Sequence, residues 1–337
     1  MATETPRRQP TLDEVAERAG VSRSAASRVI NNSPHVSRAT RAAVDRAIKE
    51  IGYLPNRAAR ALATQQTGIV ALAVSHEDPE LFADPLFAQF ILGVSAALED
   101  TDLHLVLCMT CSGRSRSRLM DLVHTRGVDG IMLMALPEDD PLTRIVGQAG
   151  LPAVYGGRPS HFEPRWYVDS DNAGGAQLAT EHLINLGRKR IATITGQMLT
   201  EAGGARFRGY REAMSTAGLT PYGTAEGDFT EAGGAAAMKS LLGCHPDLDA
   251  VFVASDYMAA GALRVLSEAG RSVPADVAVV GFDDLGVAER TDPPLTTVHQ
   301  SIQSLGKEMT RMLIGLIAGQ ERAPIVLPAK LVVRGSA

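Results

Sequence analysis

Hydrophobic and polar positions follow two different patterns before and after residue 66. In the earlier part, apolar residues such as Leu12, Val15 and Ala19 recur every three or four positions, which is the period of a helix. In the later part, short apolar runs alternate with amphipathic stretches of helix length, a pattern typical of parallel sheets with helices on both faces. The sequence therefore predicts a small all-helical unit followed by a larger α/β unit.

Capping residues mark the starts of three helices in the first unit. Thr11 and Glu14 form the pattern of a capping box, and Gly20 is placed to end the helix that follows it. Ser22 then precedes a second helix after a turn of only a few residues, and Ser37 precedes a third. Two helices joined by a short glycine-bearing turn are the outline of a helix-turn-helix motif.

The second helix has two unlike faces when its residues are placed at about 100° intervals. Two arginines and two serines share one face, and small or apolar residues share the other. Guanidinium groups and short hydroxyls suit base edges and phosphates in a major groove. The alternative is an ordinary solvated face, which is the more common case for an isolated polar stripe. The polar face consists of Arg23, Ser24, Ser27 and Arg28, and the opposite face of Ala25, Ala26 and Val29.

The charge of the chain is divided unevenly between the two units. The net charge is −5, but residues 1–66 contain eleven basic and six acidic residues, a net of +5. The remaining residues contain 22 basic and 32 acidic residues, a net of −10. A basic first unit on an acidic second unit is expected when only the first unit contacts phosphates.

Five short motifs occur in order in the first unit: AERAGVS, SRVIN, VS-x-x-T-R, GYLPN and a leucine in the segment that follows. Together they resemble the headpiece of the LacI/GalR family of bacterial repressors. The resemblance implies that Arg23 and Ser24 read bases and that Leu62 wedges into the minor groove at the centre of a two-fold operator. The other residues that it places on or near the DNA are Ser22, Ser27, Arg28, Asn31, His35, Ser37, Tyr53 and Asn56.

The recognition helix departs from the family pattern at one place. Ala25 and Ala26 stand where many relatives of this type have threonine and valine. The first difference removes a hydroxyl that could bind phosphate, and the second thins the packing beneath the helix. We expect DNA binding to persist with lower affinity or an altered base preference.

The larger unit resembles the effector domain of the same family, which is itself similar to periplasmic sugar-binding proteins. Segments that carry the resemblance include GVDGIML, ASDYMAAGALRVL and VPADVAVVGFDD. The expected fold is α/β, with an all-α helix-turn-helix headpiece before a two-lobed domain of two parallel sheets flanked by helices. Ligands in such folds bind beyond the carboxyl ends of the strands. Strands are predicted at residues 69–75, 103–109, 130–134, 153–156, 191–195, 251–254 and 277–281, and helices near 86–99, 115–126, 173–187, 205–217, 231–242, 257–269 and 302–318.

The resemblance also sets the expected domain boundaries. The headpiece is expected at residues 1–55 and a hinge helix or linker at residues 56–66. Because the chain of such a domain crosses between its lobes three times, each lobe is assembled from separated segments. The N-lobe is expected at residues 67–161 and 292–322, and the C-lobe at residues 162–291 and 323–337.

Candidate effector-binding residues lie at strand ends and in loops. Asp283 follows the apolar run VAVVGF, where a carboxylate needs a partner; it could bind a ligand or cap the next turn. The resemblance implies that Asp283 binds the ligand and that Asp284 caps the turn. It also implies that Arg206 contacts the effector. An aromatic face suits the C–H face of a sugar, although a phenylalanine is more often part of the core. The remaining candidates are the aromatic Phe87 and Phe229, and Arg158 and Ser255 at the rim.

The sequence gives little support for a metal site, for catalysis or for contact with a membrane. Cys108 and Cys111 form a C-x-x-C, but no second pair or histidine cluster follows, so neither a metal site nor another cofactor is expected. No nucleophile–base arrangement stands out, and the protein is expected not to be an enzyme. No secretory signal and no apolar run of about 18 residues is found, which favours the cytoplasm and no contact with a membrane.

The sequence thus predicts a transcriptional repressor that binds DNA in a sequence-specific manner under the control of a small effector. The expected partners are a pseudo-palindromic operator in double-stranded DNA, a mono- or disaccharide, and a second copy of the chain. A dimer is favoured over a tetramer, since no heptad repeat follows the last helix. The alternatives are an activator or dual regulator, a sugar-binding transport component, which would need a secretory signal, and a sugar isomerase.

Overall fold

A computed structural model describes residues 10–30, 35–54, 66–74, 85–110, 112–134, 142–159, 162 and 164–337. The chain divides into two compact units, Met1–Thr67 and Gly68–Ala337. No helix in these ranges combines the length and the apolar character that a bilayer crossing requires. The predicted linker, residues 56–66, lies almost entirely outside the described residues.

The first unit contains three helices, α1 (Leu12–Ala19), α2 (Arg23–Ile30) and α3 (Arg38–Ile51). The predicted capping box is present, since the Glu14 carboxylate accepts a hydrogen bond from the Thr11 amide at 2.6 Å while the Thr11 hydroxyl accepts one from the Glu14 amide. Gly20 ends α1 with a φ of 66°, a conformation that glycine adopts without strain. The core of this unit consists of Val15, Ala16, Ala26, Val29, Val44, Ala47 and Tyr53.

The second unit contains two six-stranded sheets, each covered by helices on both faces, which confirms the predicted fold class. The first lobe is built from β1 (Ile69–Val74), α4 (Pro85–Leu98), β2 (His104–Met109), α5 (Gly113–His124), β3 (Gly130–Met134), α6 (Leu142–Ala149), β4 (Ala153–Gly156), β5 (Tyr167–Ser170), α12 (Ile302–Ile317) and β11 (Ile325–Leu327). The second lobe is built from α7 (Asn172–Asn185), β6 (Ile191–Thr195), α8 (Glu201–Thr216), β7 (Gly223–Glu226), α9 (Glu231–Cys244), β8 (Ala250–Val253), α10 (Asp256–Glu268), β9 (Ala278–Asp283), α11 (Gly286–Arg290), β10 (Thr296–His299) and β12 (Lys330–Val332).

Both sheets are parallel apart from one edge strand. The first sheet has the order β11-β5-β4-β3-β1-β2, and the second has the order β12-β10-β9-β8-β6-β7, with β12 antiparallel to β10. The carboxyl ends of the parallel strands therefore meet at one edge of each sheet, where ligands bind in folds of this kind.

The chain passes between the lobes three times, and these crossovers differ from the expected boundaries. They lie at residue 171, at residues 300–301 and at residues 328–329. The expected boundaries placed residues 167–170 and 325–327 in the C-lobe and residues 296–299 in the N-lobe, whereas β5 and β11 pair in the first sheet and β10 pairs in the second. These strands have only three or four residues, and β5 and β10 also include polar ones, so the apolar pattern is too short or too interrupted to show which sheet each strand joins.

Glycines bring several helix backbones into direct contact. A methyl group at Gly93 of α4 would overlap the Gln303 carbonyl of α12, and one at Gly306 would overlap the Phe90 carbonyl. In the second lobe, glycines make the same kind of contact between α9 and α10 and between α7 and α8; they are Gly234, Gly261 and Gly209. We call these three pairs the glycine-packed helix pairs. At these glycines no side chain separates the two backbones, so a methyl group there would push the helices apart.

Replacing Gly93 by alanine is expected to lower the free energy of unfolding of the second unit by about 1–3 kcal/mol, because the new methyl group has no space. Gly147 of α6 is the matched control, since it is exposed and a methyl group there meets nothing within 4 Å. Gly147→Ala is expected to leave stability unchanged or raise it by about 0.5–1 kcal/mol. Urea denaturation of both variants checks this prediction, and equal effects would show that the helix contact is not tight.

Candidate DNA-binding surface and effector site

The polar face of α2 is exposed in the first unit. Arg23, Ser24 and Arg28 are exposed and Ser27 is half-buried, whereas Ala26 and Val29 are buried against the other two helices. Ala26 is fully buried, so its small size lets α2 pack closely on the core. The structure therefore leaves the predicted DNA-reading face open, and its role in DNA contact stays a prediction.

Hydrogen bonds assign a further task to two of the candidate serines. The Ser22 hydroxyl accepts a hydrogen bond from the Ala25 amide at 3.2 Å, and the Ser37 hydroxyl accepts one from the Thr40 amide at 3.1 Å. Both serines thus cap the starts of helices, where amide groups also suit phosphates. Any contact that they make with DNA would be combined with this capping role.

The arginines of α2 make only weak contacts within the unit. The Arg23 Nε atom lies 3.3 Å from a carboxylate oxygen of Asp13, and the two side chains are 71% and 68% exposed. Such a surface pair contributes little to stability, so Arg23 can exchange it for a nucleic acid contact at small cost. Arg28 donates to the Ser24 carbonyl at 3.3 Å.

The remaining DNA-contact candidates fall into three groups. His35 is exposed. Tyr53 is buried in the core of the first unit, so its ring stabilises the packing of the three helices whatever contact its edge makes. Asn31, Asn56 and Leu62 lie outside the described residues.

A buried ion pair lies at the carboxyl end of the second sheet. Arg206 of α8 approaches Asp283, the last residue of β9, with 3.1 Å between Nη1 and Oδ1, and both side chains are only 5% exposed. The guanidinium lies over the Phe282 ring, 3.7 Å from its centroid. It also donates to Asn172 at 2.9 Å and to the Ala254 carbonyl. Burial lowers the pKa of Arg206, and the charge of Asp283 opposes that shift.

The backbone at this strand end adopts an unusual conformation. Asp283 has a φ of 112° and Asp284 a φ of 58°. Non-glycine residues in such regions are strained by about 1–3 kcal/mol, and such strain persists where surrounding contacts fix it, often at binding sites. The Asp284 carboxylate accepts a hydrogen bond from Arg334 at 2.6 Å and lies 3.0 Å from Nδ1 of His299, so contacts from other elements hold this residue in place.

Asp256, at the start of α10, binds the segment that follows β9. It is fully buried and accepts hydrogen bonds from the Leu285 amide at 2.7 Å and from the Thr297 hydroxyl at 2.5 Å. Burial raises the pKa of Asp256 well above its usual range, and the nearby charge of Asp283 adds to the rise. This carboxyl group therefore favours its protonated form far more than an exposed aspartate does.

A second charged pair lies in the first lobe. Arg158, just after β4, donates to the Asp169 carboxylate in β5 at 2.9 Å. Asp169 is buried, and burial raises its pKa, an effect that the hydrogen bond and the charge of Arg158 offset only in part. Asn172 donates to the same carboxylate at 3.4 Å.

These contacts form one continuous network that joins the two lobes. We call it the interlobe network; in order, its members are Arg158, Asp169, Asn172, Arg206, Asp283 and Gln300. Three of the six candidate effector residues, Arg158, Arg206 and Asp283, are brought together in it. Their contact with an effector stays a prediction.

The other three effector candidates lie elsewhere. Phe87 is buried in the core of the first lobe, which agrees with the core role that its residue type favoured. Ser255 is buried and caps α10 by accepting a hydrogen bond from the Met258 amide at 3.3 Å. The Phe229 ring is half-buried and packs directly on Gly196, which follows β6 at its carboxyl end. The backbone φ of Phe229 is 70°. Of the three, Phe229 is best placed for a ligand at the sheet end.

The sequence did not point to four polar residues of this region. Asp169 and Asn172 flank the first crossover, Gln300 lies in the second, and Asp256 is buried beneath β9. The only sequence signal was that polar residues follow apolar runs at these points. The runs before Asp169 and Gln300 were not recognised as strands, whereas Asp256 follows the predicted strand at residues 251–254.

Comparison with known proteins assigns the family. Residues 11–56 match the model of bacterial regulatory proteins of the lacI family, and residues 180–337 match the model of a periplasmic binding protein-like domain. The HTH-type transcriptional regulator CelR of Thermobifida fusca is 50% identical over 98% of this chain and 99% of that protein. The ribose operon repressor of Escherichia coli strain K12 is 34% identical over 97% of this chain and 99% of that protein.

Solved structures agree with the sequence comparison. A complex of the transcriptional regulator CelR with cellobiose has a TM-score of 0.76 at 48% identity, over 98% of this chain and 100% of that one. The lac repressor dimer bound to operator and the anti-inducer ONPF has a TM-score of 0.83 at 30% identity, over 98% of this chain and 99% of that one. These relatives are transcriptional regulators and not enzymes. With an identity of 50% across nearly its whole length to one such regulator, the chain belongs to the LacI family of bacterial transcriptional regulators.

Proposed function

We propose that this protein represses transcription as a homodimer on a pseudo-palindromic operator and that a disaccharide of the cellobiose type controls it. The exposed polar face of α2 would read the operator, one headpiece in each half-site. The protein would act in the cytoplasm, where bacterial operators are found.

The observation that carries the effector proposal is the buried pair of Arg206 and Asp283 at the carboxyl end of the second sheet. A sugar hydroxyl both donates and accepts hydrogen bonds, and this pair supplies an acceptor beside a donor. At 5% exposure, water competes little for such bonds, so each contributes more than it would at the surface. Phe229, on the same edge of the sheet, offers an apolar ring for the C–H face of a sugar.

The choice of a disaccharide follows from the relatives. The CelR complex that is 48% identical to this chain contains cellobiose. Relatives at 32–34% identity include the ribose operon repressor and the transcriptional repressors PurR and CytR, so proteins with different regulatory roles share this architecture. Cellobiose is therefore the first ligand to test.

The mechanism follows from the two lobes. An effector that binds one lobe arrangement better than the other shifts the population towards it, and the coupling can only be as large as that difference in affinity. The headpieces would then grip or leave the operator according to the lobe arrangement. An inducer would favour release and a corepressor would favour binding.

The full-length protein tests this proposal. Thermal-shift and calorimetric titrations with cellobiose, maltose, ribose and guanine are expected to show binding of cellobiose, because a specific ligand raises the melting temperature. Fluorescence anisotropy with a duplex selected from a random pool is then expected to show a change of about 5- to 150-fold in operator affinity on adding cellobiose. Binding of guanine instead would overturn the effector class, and a lack of preference for any duplex would overturn the regulator.

A further inference from the structure

Two amide side chains hold the buried ion pair, and each lies at a crossover between the lobes. Asn172 is the first residue after the crossover at residue 171, and Gln300 lies in the crossover between β10 and α12. Both are buried, at 5% and 7% exposure. We call Asn172 and Gln300 the crossover amides.

Asn172 uses both ends of its amide group. Its oxygen accepts the hydrogen bond from Arg206 in the second lobe at 2.9 Å. Its nitrogen donates to Asp169 at 3.4 Å and to the Ser170 carbonyl at 3.2 Å, both in the first lobe. Arg206 offers only donors and Asp169 offers an acceptor, so the amide can take only one orientation. Because the amide is planar, a shift of its oxygen moves its nitrogen as well.

Gln300 binds Asp283, the acidic member of the ion pair. Its nitrogen donates to Oδ1 of Asp283 at 2.6 Å. This is the same oxygen that faces the Arg206 guanidinium at 3.1 Å. Each member of the ion pair is therefore bonded to one crossover amide.

Neither amide is needed to begin a helix. The cap of α7 is Asp171, whose carboxylate accepts from the Gly174 amide at 2.9 Å, and α12 begins after Ser301. A buried polar side chain without a capping role still requires partners, and here the partners come from both lobes through Asn172. The contacts of the crossover amides are thus better explained by the ion pair than by local structure.

We propose that Asn172 and Gln300 transmit occupancy of the effector site to the crossovers. This inference rests on the proposed function, since it assumes that an effector binds at Arg206 and Asp283. A hydroxyl that bonds to this pair competes for the same N–H groups and the same carboxylate oxygen that the amides use. The amides must then shift, and they shift the segments that connect the lobes.

The distances in the network suit such a relay. The bond from Asn172 to Asp169 measures 3.4 Å, near the upper limit for a hydrogen bond. A small change of the angle between the lobes is enough to tighten or break it. The two lobe arrangements then differ in hydrogen bonding at the crossover, which is the difference in free energy that coupling requires.

Two variants test the relay, with cellobiose as the probe. Asn172→Asp keeps an oxygen for Arg206 but replaces the donor toward Asp169 by a second acceptor. Gln300→Met keeps the length of the side chain and removes its donor. Asn185→Asp is the matched control, because it makes the same chemical change at the exposed far end of α7.

The readout is the ratio of operator affinities without cellobiose and at saturating cellobiose, which does not depend on how tightly each variant binds the sugar. The wild type and Asn185→Asp are expected to show a ratio of about 5- to 150-fold, and both relay variants a ratio close to 1. The affinity for cellobiose with and without operator must give the same ratio in each protein, which checks the measurement. A purely structural role would lower stability but leave the ratio unchanged.

The two possible failures can be told apart. If the wild type has a ratio of 1, the proposed function is wrong. If the wild type responds and a relay variant keeps the full ratio, that amide is not part of the relay. If Asn172→Asp does not fold, as judged by circular dichroism, Asn172→Ser and Gln300→Met carry the same test.

Discussion

Replacing Asp283 by asparagine is expected to weaken cellobiose binding by about 10- to 150-fold, the loss of a charged hydrogen bond worth about 1.5–3 kcal/mol. Asparagine has nearly the same shape as aspartate, and both are enriched among non-glycine residues at positive φ, so the change is expected to remove the charge and keep the φ of 112°. The affinity for the operator without sugar is expected to stay within a few-fold of the wild type, since the headpiece is a separate unit.

The same substitution is expected to lower the free energy of unfolding of the second unit by about 3–5 kcal/mol, because it leaves the Arg206 charge buried without its partner. Calorimetric titration and urea denaturation measure the two effects separately. Asp284→Asn is the control: it makes the same change one residue later, at a carboxylate bonded to Arg334 and more exposed than Asp283. Equal losses of sugar affinity in both variants would remove Asp283 from the effector site.

Replacing Arg23 by alanine is expected to weaken operator binding by about 1–3 kcal/mol, or roughly 5- to 150-fold, and to relax the preference for one base. The reason is that Arg23 is exposed on the polar face of α2 and gives up only a weak surface pair with Asp13. Competition binding with single-base variants of the operator measures both effects.

Arg18 provides a control for this experiment. It lies on α1 and pairs with Glu50 of α3 at 2.7 Å, so its side chain is engaged away from the polar face of α2. Arg18→Ala is expected to change operator affinity by no more than a few-fold, mainly through general electrostatics. If Arg18→Ala and Arg23→Ala weaken binding equally and without any change in base preference, α2 is not the reading helix.

The elements that the sequence predicted well are those with strong local signals. The caps at Thr11 and Ser37 and the helical period located the three helices of the first unit, and continuous apolar runs located strands such as β1 and β6. The strands that were missed, such as β10 with the residues TTVH, bury threonines that look polar in a sequence. Their place depends on the neighbouring strands, and that information is not local.

The helix α8 shows a related difficulty. It was expected to begin near residue 205 but begins at Glu201, because the residues EAGG look like a loop. In the structure, Thr200 caps this first turn by accepting a hydrogen bond from the Gly203 amide at 3.1 Å. Gly203 has no room for a side chain, since a methyl group there would overlap the Gln197 carbonyl. Gly203 suggested a loop in the sequence, but in the structure it is a helical residue that must be small because the Gln197 carbonyl lies close to it.

The site was predictable only in part. The resemblance to known regulators pointed to Arg206 and Asp283, but not to their direct contact across 77 positions of the chain. Asn172 and Gln300 could not be found, because their importance comes from the positions of the crossovers, and these depend on which sheet each short strand joins. Phe87 shows the same ambiguity: a phenylalanine in the first turn of a helix can face the core, as it does here, and its contact with an effector stays a prediction.

The glycine-packed helix pairs also determine how this protein could be recombined with a relative to make a sensor for another sugar. In the second lobe, the paired helices follow one another in the chain, so a single exchanged segment carries both partners. In the first lobe, α4 and α12 are far apart in sequence but touch backbone to backbone. A chimaera with one breakpoint between them would join helices from different parents. Functional chimaeras should therefore be those that inherit residues 85–98 and 302–317 from the same parent.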